Sequence, residues 1–303
     1  MRTLAVFFIG ISLLMISACG SKNSQFDASG TFEATEIIVS SEATGKILEF
    51  EVQEGMDLKV NQTVGYIDSL QLYLKKMQLL ANLKTVESRR PDTKVQIASI
   101  QQQIETAKSE KLRIERLLKS NAANQKQLDD VIAQISILEK QLEAQKSSLD
   151  ITNRSIGGEI SAIEIQVAQL NDQLKKCKIS SPINGTVLVK YAEKGEFTAM
   201  GKPLFKIADT GNMFLRAYVT SDQLTKLKIG ESIKVFADFG ESENKEYTGT
   251  ITWISSKSEF TPKTIQTQNE RANLVYAIKV AVKNDGYLKI GMYGNIKIAP
   301  PAP

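Results

Sequence analysis

The 303-residue chain is 42% hydrophobic and 24% charged, with a formal net charge of +4, no histidine and two cysteines. That is the composition of a globular protein of one or two domains, and its interleaved acidic and basic residues offer no same-sign block for nucleic acid. The lack of histidine excludes His-dependent triads and most catalytic zinc sites.

The first element in chain order is an export signal. "MRTLAVFFIGISLLMISAC" has one Arg and an apolar run from Leu4 to Ile16, too short to cross a bilayer comfortably. Ile16-Ser17-Ala18-Cys19 is similar to a bacterial lipobox, which implies a signal peptide over 1–18 and an acylated Cys19. Each buried methylene of the acyl chains would contribute about 0.8 kcal/mol to anchoring. The competing reading is an ordinary signal peptide with an incidental cysteine. With Cys19 acylated, Cys177 has no intramolecular partner, and a lone thiol in an oxidising compartment is best kept buried.

Residues 19–36 read as a tether and first barrel strand, and 37–69 as short strands and tight turns. From 70 to 178 the composition changes to Gln, Lys, Glu, Ala and Leu with a single proline, a helix-forming mixture. Leu128, Ile135, Leu142, Leu149, Ile156, Ile163, Leu170 and Cys177 recur at every seventh position. Val131, Leu138, Val167 and Leu174 add a second row, weakened in its middle by Gln145, Thr152 and Glu159. Ile97, Ile100, Ile104, Ala107, Ile114 and Leu118 form a stripe on an earlier helix, and the polar "SNAANQKQ" between the two suits a tight turn. The pattern predicts an antiparallel α-helical hairpin, a rod on the order of 75 Å long at 1.5 Å per residue. Pro91 should kink or restart its first arm. Gly157 and Gly158 sit at a comparable distance from the turn, so a bend at that level and merely irregular helix are both open readings.

The β pattern returns over 179–208 and repeats the earlier one. "GKILEFEVQEGMDLKVNQTVGYI" overlays "GTVLVKYAEKGEFTAMGKPLFKI" at a constant offset of 140, pairing Gly45 with Gly185, Ile47 with Val187, Gly55 with Gly195, and Ile67 with Ile207. The four glycines are expected to serve turns. One copy cannot bury its apolar face alone, and two can close as a sandwich. Residues 209–299 read as a small antiparallel barrel with a short helix capped by Ser221 or Asp222, and Trp253 is expected in its core. Asp129 and Asp130 are adjacent acids with no convergent partner. The glycines make no phosphate loop, so neither an active site, a metal site nor a cofactor is predicted.

The interrupted repeat resembles a split biotinyl/lipoyl domain, and its interruption by a helical hairpin resembles the HlyD-like membrane fusion, or periplasmic adaptor, proteins. "EFTPKTIQTQNERANLVYAIKVAV" resembles the following barrel of ABC-exporter adaptors. The resemblance implies an α+β protein with a coiled-coil hairpin inserted in a split lipoyl-like sandwich. It further implies a subunit that is not an enzyme, assembles into a ring, and links an inner-membrane ABC transporter to a TolC-like outer-membrane channel. An RND pump is the alternative partner, although the chain leaves no room for the extra membrane-proximal domain of many such adaptors. A carrier role is disfavoured, because the chain after Asp68 and Ser69 enters a helix instead of presenting a modified Lys. A structural envelope lipoprotein is the reading from another class, and it leaves the split repeat unexplained.

Channel-docking adaptors resemble one another at the tip in an Arg, a Leu four residues on, and a Ser seven after that. Here "RIERLLKSNAANQ" offers Arg113, Leu117 and, in the Ser position, Asn124. Each has a plainer reading: Arg113 as a solubilising surface charge, Leu117 as seam, and Asn124 as a helix cap.

Overall fold

The computed structural model describes residues 26–240, 243–260 and 274–298. The predicted signal peptide, Cys19 and part of the stretch following Glu259 lie outside them.

Six antiparallel strands close a barrel. β1 (Ala28–Ser40) pairs with β12 (Tyr293–Lys297), which pairs with β9 (Ser232–Phe239), followed by β10 (Glu243–Phe260), β11 (Leu274–Lys283) and β8 (Pro203–Val219), which returns to β1. Alternation along β8 sends Met213, Leu215, Ala217 and Val219 inward, where they meet Phe32, Val235, Ile251, Ile278 and Ile296. Trp253 is 41% exposed, contrary to its expected place in the core. The cause is a register shift in β10 between Ile251 and Trp253, which breaks the inward alternation. A single-turn helix, α4 (Ser221–Leu224), is capped by Thr220 in a reciprocal box with Gln223, ahead of both Ser221 and Asp222.

β1 and β8 are long enough to serve two modules. Beyond a register break between Ala34 and Glu36 they pair again, Glu36 with Ala208 through Ser40 with Pro203, inside the lipoyl-like sandwich. There β2 (Gly45–Phe50), β4 (Thr63–Ile67), β5 (Lys178–Ser180) and β7 (Phe197–Thr198) form one sheet. β3 (Asp57–Leu58) and β6 (Gly185–Lys190) extend the other from β8.

The 140-residue repeat is realised as a two-fold exchange of hydrogen bonds. The Gly55 N–H donates to Val187 and the Gly195 N–H to Ile47, at 2.9 and 2.8 Å; Asn61 donates to Ser181 and Gly201 to Ser41, both at 2.8 Å. The buried Ser41 and Ser181 hydroxyls donate to Ala43 and Ile183 carbonyls at 2.6 and 2.7 Å. Each half thus completes the other, which is why a long insertion between them does not prevent closure. Gly55 and Gly195 occupy turns at φ +83° and +96°. Gly45 and Gly185 begin strands instead, at close approaches: a Cβ would lie 2.9 Å from the Ile67 side chain at Gly45 and 2.2 Å from the Ala208 carbonyl oxygen at Gly185.

The hairpin leaves the sandwich as α1 (Leu70–Ser88) and α2 (Thr93–Lys119) and returns as α3 (Gln125–Lys176), a 52-residue helix about 80 Å long. α1 packs on the C-terminal part of α3 and α2 on its N-terminal part. Leu72, Leu79, Leu83 and Val86 continue the outgoing stripe toward the base, apolar spacing present in the sequence but overshadowed by the clearer run beyond Ile97. The second row of α3 is not weak but displaced. After Gln145 it steps eight residues to Asn153, then runs through Ile160, Val167 and Leu174, so Thr152 and Glu159 face water. Cys177, ending the helix, is buried and donates to the Gln173 carbonyl at 3.4 Å.

Candidate docking surface at the hairpin tip

The turn between α2 and α3 is defined by caps on both sides. At the end of α2, the Ala122 N–H reaches back to the Leu117 carbonyl at 2.9 Å and the Asn121 N–H to Leu118 at 3.1 Å. Asn121 is left-handed at φ +55°. This is a Schellman closure with asparagine in the place glycine usually takes, a signal carried by "SNAAN". The Ser120 hydroxyl adds a bond to the Leu117 carbonyl at 2.9 Å. Four residues later Asn124 starts α3: its Oδ1 accepts from the Gln127 N–H at 2.9 Å, and Gln127 Oε1 accepts from the Asn124 N–H at 3.1 Å. The tip is therefore a short rigid cap rather than a loose loop.

Arg113 and Leu117 stand one turn apart on α2. Leu117 is half-buried, and Arg113 is exposed. The Arg113 guanidinium makes a two-pronged contact with Glu110, Nε to Oε2 at 2.9 Å and Nη2 to Oε1 at 2.6 Å. That hydrogen bonding, with the charge attraction, holds the Glu110 carboxyl below its ordinary range and raises the Arg113 guanidinium above its own. An arginine has five N–H donors, so the pair leaves several to point outward while the carboxylate fixes the side chain. Asn124 spends its carbonyl oxygen on the cap, and its amide N–H groups remain to present outward. All three residues belong to the tip region, each with a structural partner of its own.

Beneath the tip, α2 and α3 leave an open groove of about 770 Å³ whose lining includes Thr106, Ala107, Ser109, Glu110, Arg113 and Gln134. Small side chains at Thr106, Ala107 and Ser109 would let another helix approach closely. The groove depends on which faces α2 and α3 turn to each other, so motif spacing does not reveal it.

At the opposite end, Asp68 accepts from the Leu70 N–H at 3.0 Å and the chain enters α1 directly. The exposed hairpin tip on which a carrier domain displays its lysine is replaced by the helical insertion. Among the described residues no group of three or more acidic, Cys or His side chains is arranged to hold a metal, and no helix is long and apolar enough to cross a membrane.

No family model matches the chain. It is 32% identical over 125 residues to the UPF0194 membrane protein YbhG of Salmonella gallinarum, a match spanning 41% of this chain and 37% of that protein. With a UPF0194 membrane protein of Yersinia pseudotuberculosis it shares 25% identity over 286 residues, 87% of this chain and 86% of the relative. Among solved structures, MacA from Actinobacillus actinomycetemcomitans superposes with a TM-score of 0.57 at 22% identity, covering 90% of this chain and 78% of MacA. The membrane fusion protein Spr0693 from Streptococcus pneumoniae gives 0.51 at 17% identity, covering 90% and 98%. The barrel, split sandwich and inserted hairpin together are the fold of the membrane fusion, or periplasmic adaptor, proteins, and that is the fold of this chain.

Proposed function

We propose that this chain is the periplasmic adaptor subunit of a tripartite export system, tethered to the inner membrane through acylated Cys19 and joining an ABC-type exporter to a TolC-like outer-membrane channel. The observation that carries the reading is one of reach. A β body and a capped tip are separated by a helix of 52 residues, about 80 Å, and among the described residues no metal-holding cluster stands at either end. The protein acts by geometry, as a bridge and not as an enzyme.

Unpartnered apolar surface supports self-association into a ring. Ile137, Ile151 and Ile165 recur every fourteen residues on the part of α3 turned away from its seam, all more than half exposed. Phe197 and Met200 project from the sandwich at 66% and 73% exposure. A single monomer leaves these in water, whereas side-by-side copies would cover them. At the tip, Arg113 donates to the channel, Leu117 supplies apolar contact, and Asn124 combines cap and contact.

The test is reversible cross-linking in cells, recovery through a C-terminal tag, and identification of bound proteins, with Arg113→Asp in parallel. Recovery of an ABC permease and an outer-membrane channel, with the channel alone lost in the variant, supports both the bridge and the tip assignment. Recovery of an RND pump would correct the partner class. Recovery of no transporter would overturn the adaptor reading in favour of a structural lipoprotein, and Cys19→Ala should release the protein from the membrane fraction.

A further inference from the structure

Three features of the hairpin fall at one level along the rod. On the outgoing arm, helix is absent between Ser88 and Thr93, and Asp92 starts α2 anew by accepting from the Lys94 and Val95 N–H groups at 3.0 and 3.2 Å. Pro91, in that gap, prevents the two helices from fusing. Facing the gap, α3 is unbroken but carries Gly157 and Gly158 in its interior. A methyl group added to either would meet nothing within 4 Å. Packing therefore does not call for glycine there, and each costs about 1 kcal/mol of helix propensity relative to alanine. The third feature is the eight-residue step of the seam from Gln145 to Asn153. Such an extra four-residue spacing locally unwinds a coiled coil.

Across this level the arms are tied by polar contacts. Arg89 pairs with Glu159 at 2.7 Å, and Asn153 donates to Thr93 Oγ1 at 3.4 Å. Each side of it has its own apolar packing. Val86 and Ile163 pack with Leu79, Leu83 and Ile160 toward the base, joined by Ile156 from the tip side of the glycine pair, and Ile97, Ile104, Leu138 and Leu149 are buried toward the tip.

We infer that this level is a hinge, with the distal arm pivoting on the proximal arm. The outgoing arm bends where it has no helical hydrogen bonds to lose. The returning arm bends at a glycine pair, a recognised site of helix kinking. Ile156, packed with Val86 and Ile163, is the buried apolar residue that reaches across the pivot. The Arg89–Glu159 pair is about half exposed and lies on the base side of the pivot, so it adds little to hold the hinge closed. The tip lies about 45 Å beyond the pivot at 1.5 Å per residue, so a bend of about 10° displaces it by about 8 Å. The rod would thus adjust the tip laterally while the β body stays in place. The inference concerns the hairpin alone and stands whichever partner meets the tip.

Paired spin labels on the full mature chain test it. Lys146→Cys with Glu164→Cys spans the glycine pair, and Asp129→Cys with Ser147→Cys spans equally many residues within the distal arm. All four sites are exposed, while the native Cys177 is buried; a chain carrying only Cys177 measures background labelling. A continuous rigid helix places both pairs about 27 Å apart with equal spread. The hinge predicts a spanning distribution broader than the control. Gly157→Ala with Gly158→Ala should narrow it to the control width, and Arg89→Ala, on the base side of the pivot, should leave it unchanged. Circular dichroism confirms that helix content is retained, and Gly158→Ala alone should give an intermediate width. Equal widths in the native chain, or a spanning width unmoved by the alanines, overturns the inference.

Discussion

The β body and the hairpin bury the same kinds of side chain to different depths. Phe32, Phe205, Ile47 and Ile207 in the body are 0% exposed, whereas the buried positions of the hairpin, from Val86 to Leu170, retain 3–8%. The reason is dimensional. Two sheets folded over each other enclose a residue on all sides, but two helices meet along a line and leave the rest of each surface in water. Such a body can stand alone. A two-helix rod depends on its caps, its seam and whatever it packs against in an assembly.

The comparison is tested most severely in the body. Phe205→Ala removes a side chain packed beside Phe50, with ring centroids 6.2 Å apart, and should cost about 3–5 kcal/mol. Urea denaturation followed by tryptophan fluorescence and circular dichroism would measure it. In the seam, Leu149→Ala should cost less, about 2–3 kcal/mol, because a line contact relaxes into the gap more readily. Equal losses at the two sites would contradict the difference in depth.

Two smaller changes sharpen the contrast. The buried Thr198 Oγ1 has no hydrogen-bond partner, and the repeat places Thr198 where the first half has Leu58. Thr198→Val should stabilise the body by about 1 kcal/mol, since an unsatisfied buried hydroxyl costs about 1–3 kcal/mol. Asn124→Ala should remove the α3 cap at a cost of about 1 kcal/mol. The far-ultraviolet melt should report this loss, while barrel fluorescence stays unchanged.

The smallest expected effect is a pH dependence on the barrel surface. Lys245, followed by the Tyr287 N–H, holds the Asp285 carboxyl down to about 2. An unfolded Asp titrates near about 3.9. A depressed folded value means stability present above about pH 4 and lost as pH falls through about 2. The gap in Tm between the native chain and Asp285→Asn should therefore narrow over that window. A gap constant from pH 7 to pH 2 would contradict the assignment.

The hairpin was legible because heptad spacing is local, and the offset of 140 exposed the split sandwich because both halves retain the same turns. The strand-start roles of Gly45 and Gly185 were not legible, since the close approaches they allow, to Ile67 and to Ala208, involve residues over twenty positions away in sequence. Trp253 was misplaced by a bulge that alternation alone cannot reveal. At the tip, Arg113, Leu117 and Asn124 could be named from spacing, but the Glu110 contact and the groove beneath came from the structure.

The order of modules, the helical insertion and the cap residues of its turn were determined by the sequence itself, because periodicity, turn chemistry and repetition act over a few residues or by direct self-similarity. Tertiary structure alone decided that β1 and β8 each serve two modules, that the seam of α3 shifts by one residue where α1 gives way to α2, and that the glycine pair lies beside the gap after Ser88. Those features depend on which surfaces meet, and the meeting surfaces are brought together by closure of the whole chain.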